Sequence, residues 1–475
     1  GYIAQACMLE SVSIQQGDYA VTDFLDTFTF GTNGSQFIPK SDAAIAALAS
    51  TAGGNSFCLD FADSADLGND ISSNANDFTP TSMSSTNQST NTPSKVYPTF
   101  NPLTQVGTSK GTFLEGNTKV SLASDNGAVV TTTLPSSGMW YWEIDWSSGA
   151  NGIYPGIALQ SAIGNTASSP HTRSDTFVWL AGDSSGRAYN GSSLVSYVGS
   201  ATSIGRIAVA FDADNTAMYF GTVSGSTITW LASGDPTSGS SKTGAAPFTL
   251  PTDETLYLYQ STGSASIAQY LFDEGDWTGV TNRPADAKSL NSANLPAPTY
   301  QGIDYFAPTL YEGNGTGQRV GDFVPFTDAY TVDKSAMFNS ADLRYLARTP
   351  SSGGNEKTLT FSTWIKITGV GNSNENAVLT TDDGSKEAQI RITGTTLATK
   401  KVQANLYNGS SFVLNISTDR TFGDTSSWNH LVVAYDTRAA VASANKVIIY
   451  INGVRQSVSG TDLATDDYDT EFNST

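Results

Sequence analysis

Two acidic side chains offer the first candidate for catalysis. Glu143 and Asp145 lie two residues apart in a stretch of alternating polarity, so an extended chain projects both carboxylates from the same face. Such a pair is what a glycoside hydrolase uses, one as general acid and the other as nucleophile or base. No second carboxylate pair is evident on a partner strand. We therefore interpret Glu143 and Asp145 as the solvent face of an amphipathic strand, and we expect the protein not to be an enzyme.

A run of acidic and amide residues offers a candidate metal site. Asp60, Asp63, Asp66, Asn69 and Asp70 supply the oxygen ligands that Ca²⁺ prefers. Their spacing is not that of an EF-hand loop, and Asp and Asn side chains also accept hydrogen bonds from their own backbone in Asx turns. We expect turns over this run, and a Ca²⁺ site at the four aspartates is the alternative.

The chain has two histidines, which leaves little for a histidine-based metal centre or a catalytic triad. His430 shares a strand face with Val432 and Ala434, which indicates a packed core histidine. His171 lies in a Ser/Pro/Thr loop without a nucleophile motif nearby.

Aromatic rings next to amide groups point to sugar binding, because rings stack on pyranose faces while amides bond the hydroxyls. Two similar turns place Tyr189 beside Asn190 and Tyr407 beside Asn408, each followed by Gly-Ser-Ser. We predict glycan contacts at these four residues and at Trp179. The alternative is that both turns are ordinary hairpin tips, for which Asn-Gly is a strong signal.

The segment that organises the centre of the chain is residues 138–146. Trp140, Trp142, Ile144 and Trp146 alternate with polar residues and fall on one face of an extended chain. Three indoles on one face bury a large apolar area. We therefore predict a strand at the centre of a β-sandwich core.

The composition fits such a class. Only 14 % of the 475 residues are charged and 44 are Gly, which is typical of β-sandwiches with polar loops. A net charge of −20 opposes binding to nucleic acid and to anionic lipid. No apolar run approaches the ~20 residues of a membrane span. Cys7 and Cys58 each lie in an apolar run, so we expect buried free thiols, with a disulfide between them as the alternative.

Polar and proline-rich stretches divide the chain into five segments. They are residues 1–40, the terminal strand segment of a jelly roll; 41–102, an extended Asx/Ser/Thr-rich connector; 103–276, a β-sandwich; 277–330, a Pro-containing connector; and 331–475, a jelly roll.

The central segment resembles the SPRY family of concanavalin-like sandwiches. The matching stretches are residues 138–144 (Gly-Met-Trp-Tyr-Trp-Glu-Ile), 155–158 (Pro-Gly-Ile-Ala) and 205–220. The turn after them departs from the family, because Gly-Thr-Val-Ser-Gly stands where an Asn-Gly turn is usual. The resemblance implies a sandwich whose loops carry any binding.

The last segment is similar to laminin-G-like jelly rolls. The matching stretches are residues 359–366, 428–436 and 446–454. Many members hold Ca²⁺ or glycans, but their ligand positions have no residue-by-residue match here. No closing strand follows at the C-terminal end, so the jelly roll looks incomplete there. Residues 1–10 of this chain, residues 1–10 of a neighbouring subunit, or chain beyond this sequence could close it, and we expect the last.

The expected fold class is thus all-β, with tandem SPRY-like and laminin-G-like sandwiches joined by extended linkers. Residues 61–79 and 289–298 resemble segments that join such modules in structural proteins of marine bacteriophages. That resemblance implies a non-catalytic tail or head fibre or decoration at the virion surface, acting in adhesion, host-surface glycan recognition or assembly. Its partners would be other virion proteins or copies of itself, a trimer being the common form of phage fibres. The alternatives are an extracellular carbohydrate-active enzyme and a cellular adhesin.

Overall fold

The computed structural model describes residues 1–30, 34–148, 152–198, 205–295, 332–339, 343–368, 375–382, 386–422 and 424–474. The chain forms two compact units. Unit 1 contains Gly1–Lys95 together with Ala297–Thr475, and unit 2 contains Val96–Pro296. Unit 2 is therefore inserted into the sequence of unit 1. Among the described residues, no helix combines the length and the apolar character needed to cross a membrane.

Strands dominate both units. The first part of unit 1 contains β1 (Tyr2–Glu10), β2 (Leu25–Phe30), β3 (Gly34–Pro39), helix α1 (Asp42–Thr51), β4 (Phe57–Leu59), β5 (Thr79–Thr81) and β6 (Gln88–Ser89). Unit 2 contains β7 (Val106–Gly107), β8 (Thr112–Leu114), β9 (Lys119–Leu122), β10 (Asn126–Thr133), β11 (Met139–Ser148), β12 (Tyr154–Leu159), β13 (Thr176–Trp179), β14 (Arg187–Asn190), β15 (Ser193–Ser196), β16 (Gly205–Asp212), β17 (Ala217–Ser224), β18 (Thr227–Trp230), β19 (Leu256–Ser261), β20 (Ser266–Leu271) and β21 (Lys288–Ser289). The second part of unit 1 contains β22 (Ser335–Met337), β23 (Tyr345–Ala347), β24 (Thr358–Lys366), β25 (Glu375–Asp382), β26 (Glu387–Thr393), β27 (Lys401–Tyr407), β28 (Phe412–Thr418), β29 (Trp428–Asp436), β30 (Val447–Ile451), β31 (Val454–Arg455) and β32 (Val458–Thr461).

Unit 1 is a sandwich of two antiparallel sheets. One sheet has the order β31-β30-β29-β24-β1-β22-β6, with β4 also paired to β1, and the other has the order β25-β26-β27-β28-β32. Apolar side chains from both sheets form one core. The all-β class predicted from the sequence is confirmed.

The first strand of the chain lies in the middle of this sandwich. β1 pairs antiparallel with β24, and Ile3 is opposite Ile365 in the register. The sequence of β1 is apolar almost throughout, and nearly all of it is buried, as expected for a strand covered on both faces. Our expectation that chain beyond this sequence closes the jelly roll was wrong, because residues 1–10 of the same chain fill a central position in the sheet. Unit 1 joins residues 1–95 of the first two predicted segments to the last predicted segment, 331–475, whereas the predicted sandwich over residues 103–276 lies within unit 2.

Helix α1 covers the outer face of that sheet. Its N-cap is Ser41, whose hydroxyl accepts a hydrogen bond from the Ala44 amide at 3.2 Å. Ile45, Ala46 and Ala49 pack against the outward side of β1. Helix α1 lies at the start of residues 41–102, which we had predicted as an extended connector, and it belongs to the body of unit 1.

The two cysteines form a disulfide, so the expectation of free thiols was wrong. Cys7 in β1 lies directly opposite Cys58 in β4, and the two sulfurs are bonded. Both residues are buried under α1. The apolar surroundings that suggested free thiols are those of two paired strands, a relation that the local sequence around each cysteine does not show.

His430 is a buried core histidine, as predicted. It lies in β29, and its Nε2 is 2.9 Å from the Ser362 hydroxyl of the neighbouring strand β24. Burial lowers the pKa of His430 from 6.5 to about 3.

We therefore expect unit 1 to lose stability in mildly acidic solution. Below pH 6.5 the unfolded chain protonates His430 while the folded chain does not, so the unfolded state binds more protons and the free energy of unfolding falls. The loss at pH 5.5 should be about 1.4 kcal/mol. Urea unfolding of unit 1 at pH 7.5 and pH 5.5 measures it. The variant His430→Gln should remove this contribution and leave that of the buried Lys366, whose pKa burial lowers to about 7. An unchanged dependence in that variant would contradict this assignment. His171, the other histidine, lies in unit 2.

Unit 2 is a second sandwich. One sheet has the order β15-β14-β13-β12-β19-β10-β7 and the other β18-β17-β16-β11-β20-β9-β8, with β21 also paired to β11. Trp140, Trp142, Ile144 and Trp146 of β11 all point into the core between the sheets. The predicted central strand is confirmed.

Candidate functional site

The face of β11 opposite the tryptophans is also buried, and Glu143 lies at its centre. Its side chain is 0 % exposed. The carboxylate accepts hydrogen bonds from the Tyr141 hydroxyl at 2.8 Å, the Gly279 amide at 2.7 Å and the Thr278 amide at 3.0 Å. Arg206 adds a salt bridge at 3.1 Å. Glu143 therefore fixes residues 278–279 over the sheet.

The solvent face that we predicted for this strand was thus wrong at Glu143. Asp145 is half-buried, whereas Glu143 is enclosed and each of its oxygens is occupied by donors of the chain itself. The pair does not meet in a cleft as a glycosidase requires.

The segment held by Glu143 continues alongside the edge strand β18. The Thr281 amide donates to the Ser226 carbonyl at 2.9 Å, and the Ile228 amide donates to the Thr281 carbonyl at 3.0 Å. Asn282 adopts a left-handed backbone with φ of 71°, and its side-chain amide donates to the Ile228 carbonyl at 2.9 Å. The first residues of the predicted proline-containing connector therefore extend the sheet. Residues 296–330 of that connector, together with residue 331 that follows it, lie outside the described residues.

An open cleft of about 540 Å³ lies between β18, the turn that follows it, and this segment. We call it the Trp230 cleft. Its lining consists of residues 228–230, 233–237 and 282–285. The turn is shaped by Ala232 and Ser233, which both have left-handed backbones with φ of 53° and 52°. Hydroxyl, amide and charged side chains surround one aromatic ring.

Trp230 is half-buried and is held in place from two sides. Its indole Nε1–H donates to the Asn282 carbonyl at 2.8 Å, and the ring packs on the small cluster around Tyr219 and Ile228. A ring with a fixed orientation and one accessible side is suited to stacking on an apolar face of a ligand, because little conformational entropy is lost on binding.

Two charged groups line the Trp230 cleft. Asp235 accepts hydrogen bonds from the amide and the hydroxyl of Thr237 at 2.9 and 2.7 Å, and the hydroxyl hydrogen bond is the main cause that lowers the pKa of its carboxyl. The guanidinium carbon of Arg283 lies 5.1 Å from the ring centroid of Trp277 and 5.7 Å from that of Tyr141. Asp235 is the one carboxylate in the lining.

The structure separates the glycan-binding residues that the sequence predicted in the central segment. Trp179 is 1 % exposed and belongs to the core between the sheets. Tyr189 lies opposite Val178 in the register and packs on the outer face of the same sheet. Since adjacent residues of a strand point to opposite faces, Trp179 and Tyr189 cannot contact one ligand. The prediction of Trp179 as a sugar platform was wrong.

Tyr189 and Asn190 both have contacts within unit 2. The Tyr189 ring lies 5.6 Å from His171, which in turn lies 5.0 Å from Tyr154. Burial lowers the pKa of His171. The Asn190 amide exchanges two hydrogen bonds with Thr249, at 2.8 and 3.1 Å. Asn190 therefore connects a hairpin to a loop. Tyr189 is half-buried, so part of its ring is exposed to solvent.

Tyr407 and Asn408 lie at the tip of the β27–β28 hairpin in unit 1. The Asn408 side-chain oxygen accepts hydrogen bonds from the amides of Ser410 and Ser411 at 3.0 and 2.9 Å, which is the pattern of a turn. The Tyr407 ring packs against the exposed Phe412 at 5.3 Å. These contacts are those of an ordinary hairpin tip, the alternative given above, and two aromatic rings lie beside the tip.

The four aspartates proposed for Ca²⁺ are not brought together. Asp60, Asp63 and Asp66 each accept a hydrogen bond from a backbone amide two residues further on, and Asp70 accepts from the amides of Cys58 and Ser72. Among the described residues, no group of three or more His, Cys, Asp or Glu could hold a metal ion. The Asx turns that we expected over this run are confirmed.

Sequence reasoning missed the Trp230 cleft. Its two walls are about fifty residues apart in the chain, and one belongs to a stretch that we had taken as a connector. The available signals were a tryptophan that ends an edge strand before Ala-Ser-Gly-Asp-Pro, and the Asn-Arg-Pro run at 282–284. Neither signal alone predicts that the two segments meet.

A comparison with protein families matches part of unit 1. A family model described as the concanavalin A-like lectin/glucanases superfamily, of laminin G type, matches residues 344–474. No curated protein matches the chain. The confirmed class is an all-β protein with tandem β-sandwiches, of which residues 344–474 are similar to the laminin G type.

Solved structures similar to part of this chain include two SPRY-type domains and stonustoxin. The TRIM65 PSpry domain is 11% identical over 37% of this chain and 88% of its own, with a TM-score of 0.28. The SPRY domain of human HERC1 is 16% identical over 37% of this chain and 98% of its own, with a TM-score of 0.26. Stonustoxin is 18% identical over 37% of this chain and 27% of its own, with a TM-score of 0.29.

Proposed function

We propose that this protein is a non-catalytic adhesion protein that recognises carbohydrate through the Trp230 cleft. The observation that carries the proposal is the half-buried Trp230 ring, held by the Asn282 carbonyl at 2.8 Å in an open cleft of about 540 Å³. Sugar sites combine a rigid aromatic platform with a few polar groups that fix orientation. Ser233, Thr229 and Asp235 supply such groups around the ring.

The cleft favours binding over glycoside hydrolysis. Hydrolysis requires two carboxyl groups about 5–10 Å apart on either side of the scissile bond. Asp235 is the one carboxylate among the lining residues, and the buried Glu143 is saturated by donors behind the sheet. The lectin part of the concanavalin-like superfamily description belongs to residues 344–474 of unit 1, and it supports a binding role for that sandwich only.

We place the protein outside the cell, in a tail or head fibre or decoration of a virion. The resemblance of residues 61–79 and 289–298 to joining segments of phage structural proteins supports this placement. The buried disulfide agrees with an oxidising environment, and the net charge of −20 keeps such a surface away from nucleic acid and anionic lipid. Its partners would be other virion proteins or further copies of itself, as well as a host-surface glycan. Proteomic analysis of particles released by cells that carry the gene tests the placement, and absence of the chain from them would contradict it.

The variant Trp230→Ala should weaken glycan binding strongly. Loss of a central aromatic anchor costs about 2 kcal/mol or more, roughly a thirty-fold drop in affinity. Binding of the full chain to a glycan array, followed by calorimetry with the best oligosaccharide, measures the effect. The matched variants Tyr189→Ala and Tyr407→Ala remove the two other half-buried rings considered above and should bind as the unmodified chain does. If Trp230→Ala binds normally and one of these variants does not, the Trp230 cleft is not the glycan site.

A further inference from the structure

The arginine in the Trp230 cleft, Arg283, has no carboxylate partner among the described residues. Four arginines form salt bridges with carboxylates, namely Arg173, Arg187, Arg206 and Arg438. Within the described part of the chain, the Arg283 side chain forms neither a salt bridge nor a hydrogen bond, and its guanidinium lies over the rings of Tyr141 and Trp277. This is unexpected in a protein with 44 acidic and 24 basic residues.

The position of Arg283 is fixed without those bonds. Its guanidinium lies over Tyr141 and Trp277, whose rings pack edge to face with centroids 4.8 Å apart. Both rings are held by the buried network below them, because the Tyr141 hydroxyl donates to Glu143 and the Trp277 indole donates to the Leu271 carbonyl. Cation–π contact with two fixed rings restrains the position of the guanidinium, and among the described residues its N–H donors form no hydrogen bond. The donors are therefore arranged in advance for a planar anion.

We infer that the Trp230 cleft binds a carboxylated sugar, such as a uronic or sialic acid, with the carboxylate on Arg283 and the ring on Trp230. This inference rests on the proposed function and names its ligand class. A guanidinium matches a carboxylate with two parallel hydrogen bonds. Both Trp230 and Arg283 line the same cleft, so one saccharide can contact the two groups together.

The charges in the cleft favour a ligand with a single negative charge. Arg283 and Asp235 are the two charged residues in the lining, so their charges cancel before the ligand binds. A densely sulfated or phosphorylated polysaccharide would be repelled by Asp235 and by the negative net charge of the whole protein. A single carboxylate meets Arg283, while the second oxygen of Asp235, which takes no hydrogen bond from Thr237, is available to sugar hydroxyls.

The test compares paired glycans that differ only in the acid group. Acidic oligosaccharides containing uronic or sialic acid are presented beside their methyl esters to the full chain, and affinities are measured by calorimetry. The unmodified chain should bind the acids more tightly than the esters. Arg283→Gln should weaken binding to the acids by about tenfold or more, the effect of losing a charge-assisted pair, and leave the esters unchanged.

Arg420 provides the matched control, because its guanidinium also stacks on an aromatic ring, that of Phe422 at 5.7 Å, but lies in unit 1. Arg420→Gln should bind both forms as the unmodified chain does. If the unmodified chain binds acids and esters with equal affinity, and only Trp230→Ala loses binding to both, the inference is overturned and the proposed function is retained. Preference for sulfated glycans, or equal loss of both forms in Arg283→Gln, would also overturn it. Absence of any binding that depends on Trp230 would overturn both.

Discussion

Replacing Glu143 with Gln should destabilise unit 2 by about 3 kcal/mol. The change leaves Arg206 without its acidic partner in a buried network. It also places the glutamine N–H₂ group, which can only donate, next to other hydrogen-bond donors. The carboxylate now accepts from Tyr141, Thr278 and Gly279 at once. Glutamine has the same shape but only one acceptor oxygen. Residues 278–279 should therefore detach from the sheet.

The same substitution should impair the Trp230 cleft from behind. The segment that Glu143 holds leads directly into Asn282 and Arg283, which form one wall. Urea unfolding of unit 2 measures the stability, and hydrogen exchange of residues 278–283 measures the local detachment. Asp145→Asn is the matched control, since Asp145 lies two residues away on the same face but is half-buried. An effect of Asp145→Asn as large as that of Glu143→Gln would show that the charge of the strand matters and the buried network does not.

Loss of the disulfide should destabilise unit 1 by about 4 kcal/mol, the loop-closure value for the 51-residue separation between Cys7 and Cys58. The variant Cys7→Ser with Cys58→Ser tests this in the absence of reductant. The cross-link ties the central strand β1 to β4 beneath helix α1, so its loss should also increase hydrogen exchange in β1.

Unit 2 is the internal control for this experiment, because both cysteines of the chain lie in unit 1. Its unfolding transition should stay the same in the double variant and under reducing conditions. A midpoint of unit 1 that does not respond to reductant would contradict a role of the disulfide in stability.

The central strands and the class of fold follow from local sequence patterns. In β11 three indoles and Ile144 occupy every second position, and this periodicity is sufficient to predict a strand facing a core. The cap Ser41 and the alanines after it likewise define α1. Such features are local because the residues that determine them are neighbours in the chain.

The features that failed all depend on distant partners. β1 pairs with β24, more than three hundred residues away, and no pattern within residues 1–10 names that partner. The face of β11 that carries Glu143 looks solvated because the segment that covers it follows more than a hundred residues later. Cys7 and Cys58 likewise depend on the pairing of β1 with β4.

The candidate site was only partly accessible from the sequence. Tyrosine beside Asn-Gly suggested sugar binding, but in the structure Asn190 bonds to Thr249 of another loop and Asn408 bonds within its own turn. Trp230 and Arg283 carried no such motif, and they line one cleft only because residues 278–282 run along β18. The kind of chemistry was therefore inferred from residue types, whereas its location required the tertiary structure.

The most direct test of the carbohydrate-binding cleft is ¹⁹F NMR of the chain labelled with fluorotryptophan. The chain has eight tryptophans, and the Trp230→Phe variant assigns the resonance of Trp230. Titration with the best oligosaccharide from the array should shift the Trp230 resonance and leave that of the buried Trp179 in place. Binding that leaves the Trp230 resonance unchanged would contradict the proposed site.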